Sequence, residues 1–203
     1  MELPAGLVCA MAIAAAAETS ELSILSTYGD RAFRPGPGTL CIVTEPGDTL
    51  VFNDQSDPEY MEDYAVYELS AFLPEQDIWV ITGTFCEWAV TLLVNGSNGS
   101  ITNAVSIPEP SPDGTRLLCT YEDIVASMLR NVMQVWRVDP DSLALEFQCR
   151  NEPWGPLGAG WASDSLIVFD SLVFRKSLDE FGHRPGSLRL SADGIWMLDD
   201  DVD

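Results

Sequence analysis

From Thr39 onward the chain is written as short apolar runs, each stopped within about ten residues by Gly, Pro, Asp or Asn. That punctuation constrains the fold more than any other feature. Twelve runs read as strands: 39–44, 49–53, 64–72, 78–85, 88–95, 101–106, 116–121, 133–138, 144–149, 166–169, 188–190 and 195–198. At roughly four strands to a small sheet they make three or four sheets. The fold class is therefore all-β, as a small propeller-like arrangement of antiparallel sheets or, alternatively, a β-sandwich. The clearest hairpin is Trp88 to Ser106, where Asn95-Gly96 and Asn98-Gly99 can supply the positive φ a tight turn requires.

One segment has a different period. Ile124, Val125, Met128, Leu129 and Val132 recur at helical spacing behind Thr120 and Asp123, so residues 120–132 form either one short helix or a long apolar connection. A turn-plus-strand unit recurs at Pro46 to Phe52, Pro112 to Leu118, Ala162 to Phe169 and Ser191 to Leu198. In each, Asp or Gly stands where a turn needs a side-chain acceptor or a residue tolerant of positive φ.

Ser111-Pro112-Asp113-Gly114, the strand Val135-Trp136-Arg137-Val138 and the next opening at Trp161-Ala162-Ser163-Asp164 resemble a blade and a half of a WD-repeat or TolB-type β-propeller. With Trp154-Gly155-Pro156 following in order, the stretch is also similar to an uncharacterised group of bacterial proteins. Arg137 stands where a WD repeat has Asp, and no Gly-His pair opens a blade. The resemblance implies a rigid scaffold whose loops bind other proteins, and it implies no reaction.

Size fits one domain. The 203 residues, 46% hydrophobic with six Trp, are enough to fill a core over residues 21–198, between an apolar N-terminal segment (1–20) and an acidic tail (199–203). The run Leu3 to Ala17 resembles a secretory leader, although Glu2 replaces the usual basic residue. A periplasmic or secreted location follows from that reading, with the cytoplasm left open. No other run is long enough for a membrane span. Without Cys9, the remaining Cys41, Cys86, Cys119 and Cys149 either form two disulfides or are buried thiols.

Charge narrows the partners. The formal net charge is -22, from 32 acidic residues against ten basic ones, and no basic residue lies between Arg34 and Arg116. Nucleic acid and anionic membranes are poor partners, because binding them depends on neutralising phosphates with Lys and Arg. A basic protein is the natural complement, or else the charge serves solubility alone. The densest acidic stretch falls within residues 45–77, giving Asp54, Asp57, Glu59, Glu62 and Asp63 as partner-binding candidates. Trp154, between Pro153 and Gly155-Pro156, either covers a sheet or anchors a partner.

No catalytic, metal or cofactor site is expected. The only His, His183, sits in the loop-like Phe181-Gly182-His183-Arg184-Pro185-Gly186, and acidic runs lack the Gly and ligand spacing of a calcium loop. Asn95-Gly96-Ser97 and Asn98-Gly99-Ser100 are glycosylation sequons that serve equally as turns. The expected function is a non-enzymatic protein-binding or scaffolding domain, in one form an inhibitor or immunity-type protein. The alternatives are a carboxylate-dependent glycoside hydrolase centred on Glu87 and Trp88 with Asp77 and Trp79, and a purely structural exported domain.

Overall fold

The computed structural model describes residues 20–45, 47–56, 63–86, 88–123, 131–151, 154–175 and 180–199. It is an all-β fold with one short helix among those residues, α1 (Glu21–Thr27). Sheet 1 contains β1 (Ala32–Gly36), β2 (Thr39–Val43) and β3 (Thr49–Asn53). Sheet 2 contains β4 (Ala65–Leu73), β5 (Ile78–Phe85), β6 (Ala89–Asn95) and β7 (Ile101–Ala104). Sheet 3 contains β8 (Glu109–Pro110), β9 (Arg116–Tyr121), β10 (Asn131–Asp139) and β11 (Ser142–Asn151). Sheet 4 contains β12 (Trp154–Ser163), β13 (Leu166–Arg175), β14 (Glu180–Leu190) and β15 (Trp196–Asp199). Every pairing is antiparallel, and every sheet is a meander in chain order.

The sheets stack face to face in the order of the chain. Leu40, Ile42 and Phe52 of sheet 1 meet Leu69, Trp79 and Ile81 of sheet 2, with Ile24 of α1 closing the same core. The other face of sheet 2, with Ile78, Val80 and Leu93, meets Leu117, Cys119 and Trp136 of sheet 3. The far side of sheet 3, with Leu118, Met133 and Val135, meets Trp154, Ile167, Phe169 and Leu188 of sheet 4. Sheets 2 and 3 are thus covered on both faces. This is why β5 and β10 are buried in consecutive positions rather than in alternation. The row does not close into a barrel or propeller.

The strands that sequence patterning passes over share one property. β1, β8 and β12 contain Pro35, Pro110 and Pro156, and each is an edge strand, where the lost N–H of proline breaks no ladder. The segment around His183, expected as a loop, is part of β14. Pro185 is accommodated there because β15 pairs only with Ser187 to Leu190 and leaves that side of β14 open at Pro185. The helix also differs from expectation. It lies at 21–27, while Thr120 and Tyr121 belong to β9 and Asn131 and Val132 to β10; residues 124–130 lie outside the described residues. Cys41 of β2, Cys86 just past the end of β5 and Cys119 of β9 are free thiols, and Cys149 lies in β11. Burial pushes the Cys119 thiol up to about 12.

Candidate functional site

In a four-strand antiparallel meander the first and third turns lie at one end and the second turn and the inter-sheet connections at the other. One end of the stack therefore gathers residues 44–48, 74–77, 95–100, 111–115, 140–141, 163–165 and 191–195. Three of these turns are built alike. Gly47, Gly114 and Gly194 have φ of 90, 70 and 78 degrees, and each donates its N–H to the carbonyl three residues back, at Thr44, Ser111 and Ser191. Asp113 tightens the second of them, accepting from Ser111 Oγ at 2.7 Å, Thr115 N–H at 3.0 Å and Thr115 Oγ1 at 2.8 Å. Burial works to raise the Asp113 pKa, and these hydrogen bonds with the nearby Arg116 charge outweigh it, so the net shift is downward.

The turns are tied to one another across sheets. The Glu45 N–H donates to Gly96 O at 2.9 Å, and the Gly96 N–H to Asp77 O at 2.7 Å. Gln76 Nε2 donates to Gly114 O at 3.0 Å, Asn98 Nδ2 to Asp141 O at 2.7 Å, and the Asp113 N–H to Asp164 Oδ1 at 2.9 Å. Gly99 takes the positive φ expected of the hairpin turn, at 74 degrees. Gly96 is needed for space instead, since a Cβ there would meet the Asp77 carboxylate and the Arg31 guanidinium.

The surface so formed is acidic. Glu45, Asp48, Glu75, Asp113, Asp141, Asp164 and Asp193 are exposed on it, drawn from turns of all four sheets. Much of the available positive charge is committed internally. Arg31 pairs with Asp77 at 2.8 Å, Arg34 with Glu21 at 2.8 Å, Arg116 with Glu146 at 2.8 Å and Arg137 with Asp139 at 2.9 Å.

Where sheets 3 and 4 meet, a second group of ionisable side chains brackets two tryptophans. Trp196 Nε1 donates to Glu146 Oε2 at 3.0 Å, Trp161 Nε1 donates to Glu109 O at 3.0 Å, and the two indoles meet edge to face at 6.1 Å. Glu146 is pulled toward a raised pKa by burial, but hydrogen bonds from Arg116 and Trp196 and the charges of Arg116 and Arg137 bring it below the ordinary value. Glu109 is raised, because its burial outweighs the hydrogen bond from the Trp161 backbone.

The residues singled out from sequence do not form one face. Within 45–77, Glu45, Asp48, Glu75 and Asp77 lie at the turn end, whereas Asp54 and Asp63 lie at the opposite, connection end, because β3 and β4 run the length of the stack between them. Asp54 is half-buried and its Oδ1 accepts the Tyr67 N–H at 2.8 Å, so it organises a connection; Asp63 is exposed. Asp57, Glu59 and Glu62 lie outside the described residues. Trp154 is 1% exposed, the first residue of β12, with its ring stacked on Phe169 at 5.3 Å. It covers a sheet, and that burial removes it as a surface anchor. The acid and tryptophan group considered for glycosidic chemistry is not assembled either. Asp77 and the fully buried Trp79 stand at one end of β5 and Trp88 beyond the other, roughly 25 Å away at about 3.3 Å per residue. Glu87 lies outside the described residues.

Two features were missed from sequence. The junction of Glu109, Arg116, Glu146, Trp161 and Trp196 draws on five strands, and no spacing rule connects them. Trp88 is the most exposed aromatic among the described residues, at 56%, where Trp154 had been the candidate; the short Cys86-Glu87 break before it was the available cue. None of the described helices is long and apolar enough to cross a membrane. What the fold and surface define is a class: an all-β protein of four stacked antiparallel sheets with a cross-tied acidic turn surface. No protein-family model, curated protein or solved structure matches the chain.

Proposed function

We propose that the chain is a non-enzymatic protein-binding scaffold that presents the turn end of its sheets to a basic protein partner. One observation carries this reading: exposed carboxylates from all four sheets share a surface whose turns are hydrogen-bonded to one another. Turns tied in this way lose little freedom on binding, which favours affinity. Like-signed charge across the surface raises the encounter rate with a basic partner and makes it sensitive to salt. An inhibitor that sets carboxylates where the anionic substrate of a basic enzyme would lie is the specific form that fits. The WD-repeat or TolB-type resemblance, which implies loop-borne protein binding, supports the same class by analogy of fold.

The test compares two triple variants of equal charge change with the parent chain, using octalysine as the basic probe in calorimetric titrations. Glu75→Gln, Asp141→Asn and Asp193→Asn neutralise the turn end; Glu68→Gln, Asp170→Asn and Asp199→Asn neutralise exposed strand positions away from it. The turn-end triple should weaken binding several-fold more than the control, and about 0.5 M salt should abolish the difference, since screening then acts within a few ångströms. Equal losses from the two triples would show that only net charge matters and would defeat the proposal.

A further inference from the structure

At the connection end, an aromatic ladder climbs from the core to the surface. Phe52 lies 5.4 Å from Tyr67, Tyr67 meets Phe85 edge to face at 6.1 Å, and Phe85 stacks on Trp88 at 4.0 Å with 16 degrees between the planes. The last step is locked by the Phe85 N–H donating to Trp88 O at 2.8 Å. Gly83 gives the ladder room, because a Cβ there would press on Tyr67, Val90 and Phe85 at 3.2 to 3.3 Å. Trp88 is therefore a held platform rather than a loose side chain. Phe85 occupies one of its ring faces, and it remains 56% exposed.

The other well-placed indoles show what this protein sets against such a ring. Arg31 lies over buried Trp79 at 5.4 Å and over Phe72 at 5.8 Å, and Arg116 lies over buried Trp196 at 5.9 Å. Each of those guanidinium groups is also paired with a carboxylate, Asp77 or Glu146. Among the described residues no cation lies over Trp88. A carboxylate is close by in register: Ala65 pairs with Phe85, and exposed Asp63 precedes Ala65 by two positions.

We infer that Trp88 is a binding site for an arginine side chain of an arginine-bearing protein or peptide, which stacks its guanidinium on the open indole face beside the acidic connection end. A planar guanidinium stacks on an aromatic ring better than an ammonium does, so the site discriminates arginine from lysine. The inference shares with the proposed function the premise of a basic partner and concerns the opposite end of the sheets.

The test titrates octa-arginine and octalysine, equal in charge, into the full chain and into Trp88→Ala and Trp88→Phe. The parent chain should prefer octa-arginine by about fivefold. Trp88→Ala should bring the ratio to about one, with the loss falling mainly on octa-arginine, and Trp88→Phe should retain part of the preference. No preference in the parent chain, or a preference that survives Trp88→Ala, overturns the inference. The turn-end triple variant separates the two proposals: it should weaken both peptides in parallel. If it weakens neither while the arginine preference persists and depends on Trp88, the turn-end reading fails and this one stands.

Discussion

Glu146 and Glu109, on the two opposite edge strands of sheet 3, are carboxyls shifted in opposite directions. Glu146 has a folded-state pKa below its unfolded value, so its contribution to stability is present above the unfolded pKa and is lost as pH falls through the folded one. Glu109 has the opposite sign: its contribution is present below the unfolded pKa and is lost as pH rises through the folded one. Glu146→Gln should lower stability near neutral pH by about 1 to 3 kcal/mol, the worth of hydrogen bonds to a charged group. Urea titrations across a pH series check the sign, since the gap between variant and parent should narrow as pH falls below the ordinary carboxyl range. A gap that stays constant would show that the loss is one of packing. Little of this was legible beforehand, because Arg116, Glu146 and Trp196 are far apart in sequence and meet only when β9, β11 and β15 are in place.

At the scale of elements, burial pattern depends on where a sheet stands in the row. β3 alternates because, among the described residues, only one face of sheet 1 is covered, and β5 does not because both faces of sheet 2 are covered. Ile78→Ala and Ile81→Ala lie on opposite faces of β5, and each should cost about 2 to 5 kcal/mol in chemical unfolding. Val51→Ala, 52% exposed on the outer face of β3, should change stability by under about 1 kcal/mol. A harmless Ile78→Ala would contradict the stacking of sheet 2 on sheet 3. Most strands were readable because their apolar runs end at turn residues. α1 was not, since Glu-Leu-Ser-Ile-Leu-Ser-Thr is short and its Ser and Thr favour caps and turns over helix. Tertiary contacts fix it: the Glu21 carboxylate receives Arg34 Nη2 at 2.8 Å and the Leu69 N–H at 3.0 Å, and Ile24 enters the core.

For the whole molecule, the row of sheets makes each depend on its neighbour. A chain ending at residue 151 would lose sheet 4 and uncover Leu118, Met133, Val135 and Phe147 on sheet 3. It should bind an apolar dye such as anilinonaphthalene sulfonate and self-associate in sedimentation, as uncovered apolar patches do. A monomeric, dye-silent product would mean that the sheets fold independently. By itself the sequence determined the all-β class, its small antiparallel sheets and the position of most turns, because strand period and turn chemistry act over a few neighbouring residues. Tertiary structure alone decided which acids share a surface, that Trp154 is buried and Trp88 exposed, and which arginines are already paired. Those outcomes depend on the end to which an antiparallel strand delivers a residue and on the sheet that covers it, and both are set by contacts between segments distant in the chain.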